Sequence, residues 1–234
     1  MTQLITIIVV AHFIISVLRR GLGFPIKIMP MKYTRYLYVV VHELSHLVVG
    51  LLVGCGVYDL VLKETSESSG AYITKYKSPF KIFWINFGEV FMSLAGPLLP
   101  PFLFYGLAYA VVNGLYMWIV GVVGVGLLLI LTYSSQRWFF ILSGMILLFV
   151  GNFIGTDILN YLLIGLLVWG LLGMVDEVFA IRGFDNKGSD MAMLTKALFG
   201  VSHPIVSRGL YFILQGVYLV AVVVTIQLLS QYGF

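Results

Sequence analysis

Cysteine is almost missing from this chain: Cys55 stands alone among 234 residues. That excludes an intrachain disulfide framework and a zinc site built on thiolates. Charge is also scarce, at 10% of residues, and the net +4 forms no basic stripe interleaved with aromatics, so no nucleic-acid partner is expected. Internal repeats and low-complexity tracts are lacking too. What fills the chain is apolar: 60% of residues are hydrophobic and the mean hydropathy is +1.02. A water-soluble domain of this length has too little interior to hide that much apolar surface. The lipid bilayer is the solvent that suits it.

A helix needs about 20 apolar residues to cross about 30 Å of hydrocarbon. Runs of that kind predict spans at 2–18, 34–54, 83–112, 115–133, 138–154, 158–181 and 208–231. The expected fold is therefore all-α and polytopic, with about seven transmembrane helices (six to eight) in one membrane-embedded domain over 1–234. The first run could pass for a signal peptide, but no small-residue cleavage site follows Arg19-Arg20, so it reads as a retained anchor. Arg19, Arg20, Lys27, Lys32 and Arg35 cluster around the first loop, which the positive-inside rule makes cytoplasmic. Counting spans forward then puts the 155–157 junction on the cytoplasmic side and the 182–207 loop outside. Between the second and third spans, "VYDLVLKETSESSGAYIT" has two β-prone runs, Val57–Leu62 and Ala71–Thr74, around a polar turn ending in Gly70. A short β-hairpin beside the membrane is expected there.

One span breaks the apolar rule. "VVVHELSHLVVGLLVG", residues 39–54, carries His42, Glu43 and His46 inside a lipid-compatible run. Positions four apart on a helix differ by about 40° around the axis and about 6 Å along it, so both imidazoles point one way and can share a metal ion. Glu43 is offset by about 100°, placed to reach a water on that metal without ligating it. Zn²⁺ suits two imidazoles and a carboxylate, with a fourth position left for water. A pair of core histidines bonded only to backbone or to Glu43 is the plainer alternative. In hydrocarbon it is disfavoured, because incompletely paired polar groups there cost several kcal/mol.

The third ligand is less legible. Asp157, in "GNFIGTDILNYLL", comes out at a depth compatible with His42, whereas Asp176 and Glu177 fall at the opposite end of their span. Asp157 is the expected ligand, with Glu89 and Asp190 as rivals; a helix N-cap is its metal-free alternative. Pro97, Pro100 and Pro101 remove backbone donors and predict a broken helix near the site, lining a cavity or serving only as a packing kink. Asn86 and Asn152 are candidate polar helpers for substrate.

The combination of "HELSH" in a membrane helix, "LAGPLLPP" in the next one and a distant intramembrane Asp resembles the site-2 protease family of zinc intramembrane metalloproteases. By that resemblance His42 and His46 fall on the first two zinc ligands, and Glu43 on the catalytic glutamate. Ala95-Gly96-Pro97 falls on the family's Gly-Pro segment. The family's third ligand is an Asp, usually in a Leu-Asp-Gly context that this chain lacks. "GTDILN" around Asp157 looks more like the compact, divergent branch, and "GSDMAML" with Asp190 looks like a recurring segment of that branch. No counterpart of the family's frequent PDZ or CBS domains is present.

The resemblance implies an intramembrane zinc endopeptidase that cuts transmembrane or membrane-proximal segments of other membrane proteins, with Glu43 as general base. The partners would be such a substrate and the lipid bilayer, and the active site would lie nearer the cytoplasmic face, in the cell membrane. A helical substrate hides its carbonyls in its own hydrogen bonds and must unwind first. Its extended segment could add to the 57–76 hairpin as a strand, through Leu60 and Tyr72, while Asn86, Gly96 and Pro97 contact it. The competing classes are a metal transporter or sensor and a catalytically inactive helix-binding protein.

Overall fold

The structure, a computed structural model, describes residues 2–18, 31–54, 57–61, 70–73, 81–82, 85–134, 156–179, 190–201 and 203–231. Seven helices lie among them: α1 (Thr2–Ser16), α2 (Met31–Leu52), α3 (Phe87–Val112), α4 (Tyr116–Tyr133), α5 (Thr156–Val178), α6 (Asp190–Phe199) and α7 (Pro204–Gln231). Helix is what an apolar chain adopts in hydrocarbon, because each backbone donor must be met from within its own segment. Four stretches are long and apolar enough to cross a membrane: Arg35–Leu52, Phe87–Val112, Tyr161–Val178 and Pro204–Gln231. Shorter apolar runs occupy Gln3–Ser16 in α1 and Gly121–Tyr133 in α4. The chain is an integral membrane protein. The span expected at 138–154 lies outside the described residues.

Large apolar side chains also cover the outside of the bundle, among them Leu4, Ile7, Trp118, Leu128, Ile205 and Ile213. Lipid is their natural neighbour. The interior joins Tyr38 and Val39 of α2, Phe104 and Ala108 of α3, Leu171 and Met174 of α5, and Tyr218 and Val222 of α7.

Two helices depart from the sequence reading. Helix α6 occupies 190–199, inside what was expected to be the 182–207 loop. Its Met191 and Leu194 bury against Leu214 of α7, with Val90, Leu94 and Leu98 of α3 packed alongside. Helix α3 runs unbroken for 26 residues through Pro97, Pro100 and Pro101, all of them buried. The prolines still remove amide donors, so the carbonyls of Ser93, Gly96 and Pro97 lack their usual partners four residues on.

A polar network fixes the relative level of the helices. Arg35, near the start of α2, pairs with Glu177 near the end of α5 at 2.5 Å. His12 Nε2 of α1 lies 3.1 Å from Asp176 Oδ1, and the Ser16 hydroxyl donates to the same oxygen at 3.0 Å. The last carbonyls of α5 have no intrahelical donors. The Tyr211 hydroxyl meets that of Glu177 at 3.0 Å, and the Gln215 amide donates to that of Val178. Helices α2 and α5 are therefore antiparallel, and the end of α5 stands level with the start of α2. Counting spans forward gave the opposite result.

Strand β1 (Val57–Val61) pairs antiparallel with β2 (Gly70–Ile73), setting Asp59 against Tyr72 and Leu60 against Ala71. Two-residue strands β3 (Lys81–Ile82) and β4 (Ile85–Asn86) pair immediately before α3.

Candidate metal centre

Helix α2 carries His42 and His46 one turn apart. The His46 Nδ1–H donates to the Met92 carbonyl of α3 at 2.7 Å, which leaves Nε2 to face His42 and Asp190. On His42, Nδ1 faces the Tyr38 hydroxyl at 3.4 Å. The two Nε2 atoms are 3.2 Å apart. Asp190, the first residue of α6, closes the group: Oδ2 is 3.0 Å from His42 Nε2, and Oδ1 is 3.3 Å from His46 Nε2. All three side chains are largely shielded, at 14%, 11% and 27% exposure for His42, His46 and Asp190. Burial opposes the charge on Asp190, but the facing imidazoles outweigh it and hold its pKa below the ordinary carboxylate value.

These atoms fit a metal. Four ligands at about 2.0–2.1 Å from zinc stand about 3.3–3.4 Å from one another in a tetrahedron. Here the two Nε2 atoms are 3.2 Å apart, each has a different Asp190 oxygen at 3.0 or 3.3 Å, and one donor atom from each residue lies within 4.8 Å of the others. Both histidines have Nδ1 engaged, so their Nε2 positions converge with a carboxylate on one point, the donor set of a catalytic zinc site. Gly96 backs that point. A Cβ at this glycine would come within 2.6 Å of His42 Nε2 and nearer still to His46 Nε2. Only the absence of a side chain keeps the space between the donors open. Glu43, the residue after His42, is buried at 5% exposure and lies within electrostatic reach of His46.

The structure brings together His42, His46 and Asp190, with Gly96 against them and Glu43 adjacent. Asp157, whose side chain lies outside the described residues, is the second residue of α5, 20 positions before Glu177, or about 30 Å along the axis. His42 lies seven positions beyond Arg35, or about 10 Å. With Arg35 and Glu177 paired, the backbone of Asp157 is about 20 Å from the level of His42 along the bundle. Among the described residues, the carboxylate that faces both histidines is that of Asp190, the rival from α6.

Other expected residues have structural duties. Asn86 caps α3, its side-chain oxygen accepting the Glu89 N–H at 3.4 Å, and Glu89 stands outside the ligand group. Leu60 is fully buried with Val40, Leu47 and Ile130, so its side chain belongs to the core. Pro97 is buried next to Gly96. Tyr72 sits in β2, and its side chain lies outside the described residues, as does Asn152. Sequence reasoning missed Met92, whose contribution is a backbone carbonyl and leaves no trace in residue type. It also passed over Tyr38, one turn before His42, a spacing that could have been noticed.

The family model for Peptidase M50B-like proteins matches residues 4–225. Comparison with curated proteins and with solved structures gives no match. A match over nearly the whole chain, with paired imidazoles and a carboxylate gathered inside a membrane bundle, leads to one assignment: the chain belongs to the Peptidase M50B-like family, within the site-2 protease family of intramembrane metalloproteases.

Proposed function

We propose that this protein is an intramembrane zinc endopeptidase acting on transmembrane or membrane-proximal segments of other membrane proteins. The observation that carries the reading is the convergence of His42 Nε2, His46 Nε2 and the Asp190 carboxylate beside a buried Glu43. His42, His46 and Asp190 would hold the ion. When bound there, zinc supplies the Lewis acidity that makes water a nucleophile near neutral pH. The Glu43 carboxylate accepts the proton of the attacking water and returns it to the leaving amine as the peptide C–N bond breaks. Its place one residue after His42 keeps it off the ligand face and beside it.

The substrate must arrive unwound, and two features suit an extended chain. Among the described residues strand β2 pairs only with β1, and its other edge could take a further strand near Tyr72. The carbonyls of Ser93, Gly96 and Pro97, freed by the prolines, are acceptors along the helix that backs the site.

His42 lies 11 positions after Met31 and 10 before Leu52, so the histidine pair stands in the middle part of α2. Arg19, Arg20, Lys27 and Lys32 precede or open α2 in the chain, and Arg182 and Lys187 follow the end of α5 that is level with its start. This common basic side supports a cytoplasmic start for α2, with the histidines reached from within the bundle.

The test is cleavage of single-span substrates in liposomes by wild type and Glu43→Gln. The variant is expected to keep its zinc and to lose at least about 10²-fold in turnover. Undiminished cleavage by Glu43→Gln would remove that residue from the mechanism.

A further inference from the structure

We propose that Tyr38 and Tyr218 form a hydrogen-bonded pair that positions His42 for the metal, so that α7 helps set the metal affinity without supplying a ligand. The inference rests on the metal reading above and adds residues that reading does not use.

Both metal-facing imidazoles need their second nitrogen held, since that bond fixes the tautomer and the ring orientation. Met92 does this for His46. For His42 the group in reach of Nδ1 is the Tyr38 hydroxyl, 3.4 Å away on the preceding turn of α2. That hydroxyl in turn lies 2.7 Å from the hydroxyl of Tyr218 on α7. One direction of donation serves the site: His42 Nδ1–H to the Tyr38 oxygen, and the Tyr38 O–H to the Tyr218 oxygen. It leaves the lone pair of His42 on Nε2, the atom that faces Asp190.

Packing alone does not call for these hydroxyls. Tyr38 and Tyr218 are 1% and 2% exposed, inside the apolar cluster of Val39, Ala108, Leu171, Met174 and Val222. Phenylalanine fills nearly the same volume and avoids burying a polar oxygen, which is costly wherever its hydrogen bond is lost. The two rings meet edge to face with centroids 6.0 Å apart, a contact phenylalanine would keep. What phenylalanine would lose is the chain of hydrogen bonds that ends on His42.

Zinc affinity separates these roles. Wild type, Tyr38→Phe and Tyr218→Phe would be titrated with zinc against a chromophoric chelator, and the melting temperature of each metal-free protein recorded. Tyr38→Phe is expected to weaken zinc binding about 10- to 100-fold, and Tyr218→Phe to weaken it less, although both variants leave one buried hydroxyl without its tyrosine partner and so lower the metal-free melting temperature alike. If wild type binds zinc tightly and Tyr38→Phe binds it equally well, the positioning role is wrong. The same holds if the variants lose only melting temperature. Failure of wild type itself to bind zinc would instead overturn the metal reading.

Discussion

Gly96 and the two histidines show how much the centre depends on single atoms. The histidines are legible in the sequence because both sit on one helix, where spacing alone fixes their common direction. Gly96 is legible only as part of a Gly-Pro pair, and its spatial duty is not. In the structure a methyl group there would intrude between the two Nε2 atoms. Gly96→Ala is thus expected to fold and to bind zinc at least about 10-fold more weakly, a loss of the order that disturbed ligand geometry causes. Elemental analysis of the purified variant beside wild type checks this. Full zinc occupancy in Gly96→Ala would mean that the ion sits away from this face of α3.

At the scale of elements, the informative case is α6. A search for spans of about 20 apolar residues passes over a helix of 10, and "DMAMLTKALF" hides in the polar stretch before α7. Its helical signal is present at short range: Met191, Leu194 and Leu198 fall at i, i+3 and i+7 and pack in one cluster. The distance from His46 to Asp190 along the chain defeats any spacing rule, so the third ligand emerges only when α6 is packed onto α3 and α7. That packing is reinforced by Thr195 and Ser207, whose hydroxyls lie 3.1 Å apart, and by the bond from Ser207 to the Met191 carbonyl at 3.3 Å. Leu194 is 3% exposed at the centre of this seat. Leu194→Ala is expected to loosen α6 by about 2–5 kcal/mol and to weaken zinc binding although it touches no ligand. Zinc titration and melting temperature measured on the same preparation check this; unchanged affinity would show that Asp190 is held by something other than the seat of α6.

At the scale of the whole molecule, composition settled the solvent and the helical class, because so apolar a chain has no other stable home. Helix order across the membrane did not follow. Span counting propagates every uncertain boundary, whereas Arg35–Glu177 and His12–Asp176 directly tie the start of α2 and the end of α1 to the end of α5. That registry carries the start of α5, with Asp157, far from the histidines and leaves the carboxylate of α6 beside them. Tightly bound zinc in wild type, Asp190→Ala and Asp157→Ala, all purified without chelators, tests the account most directly. It predicts about one zinc per chain in wild type and in Asp157→Ala, and little or none in Asp190→Ala. Retention of zinc by Asp190→Ala together with its loss from Asp157→Ala would contradict it.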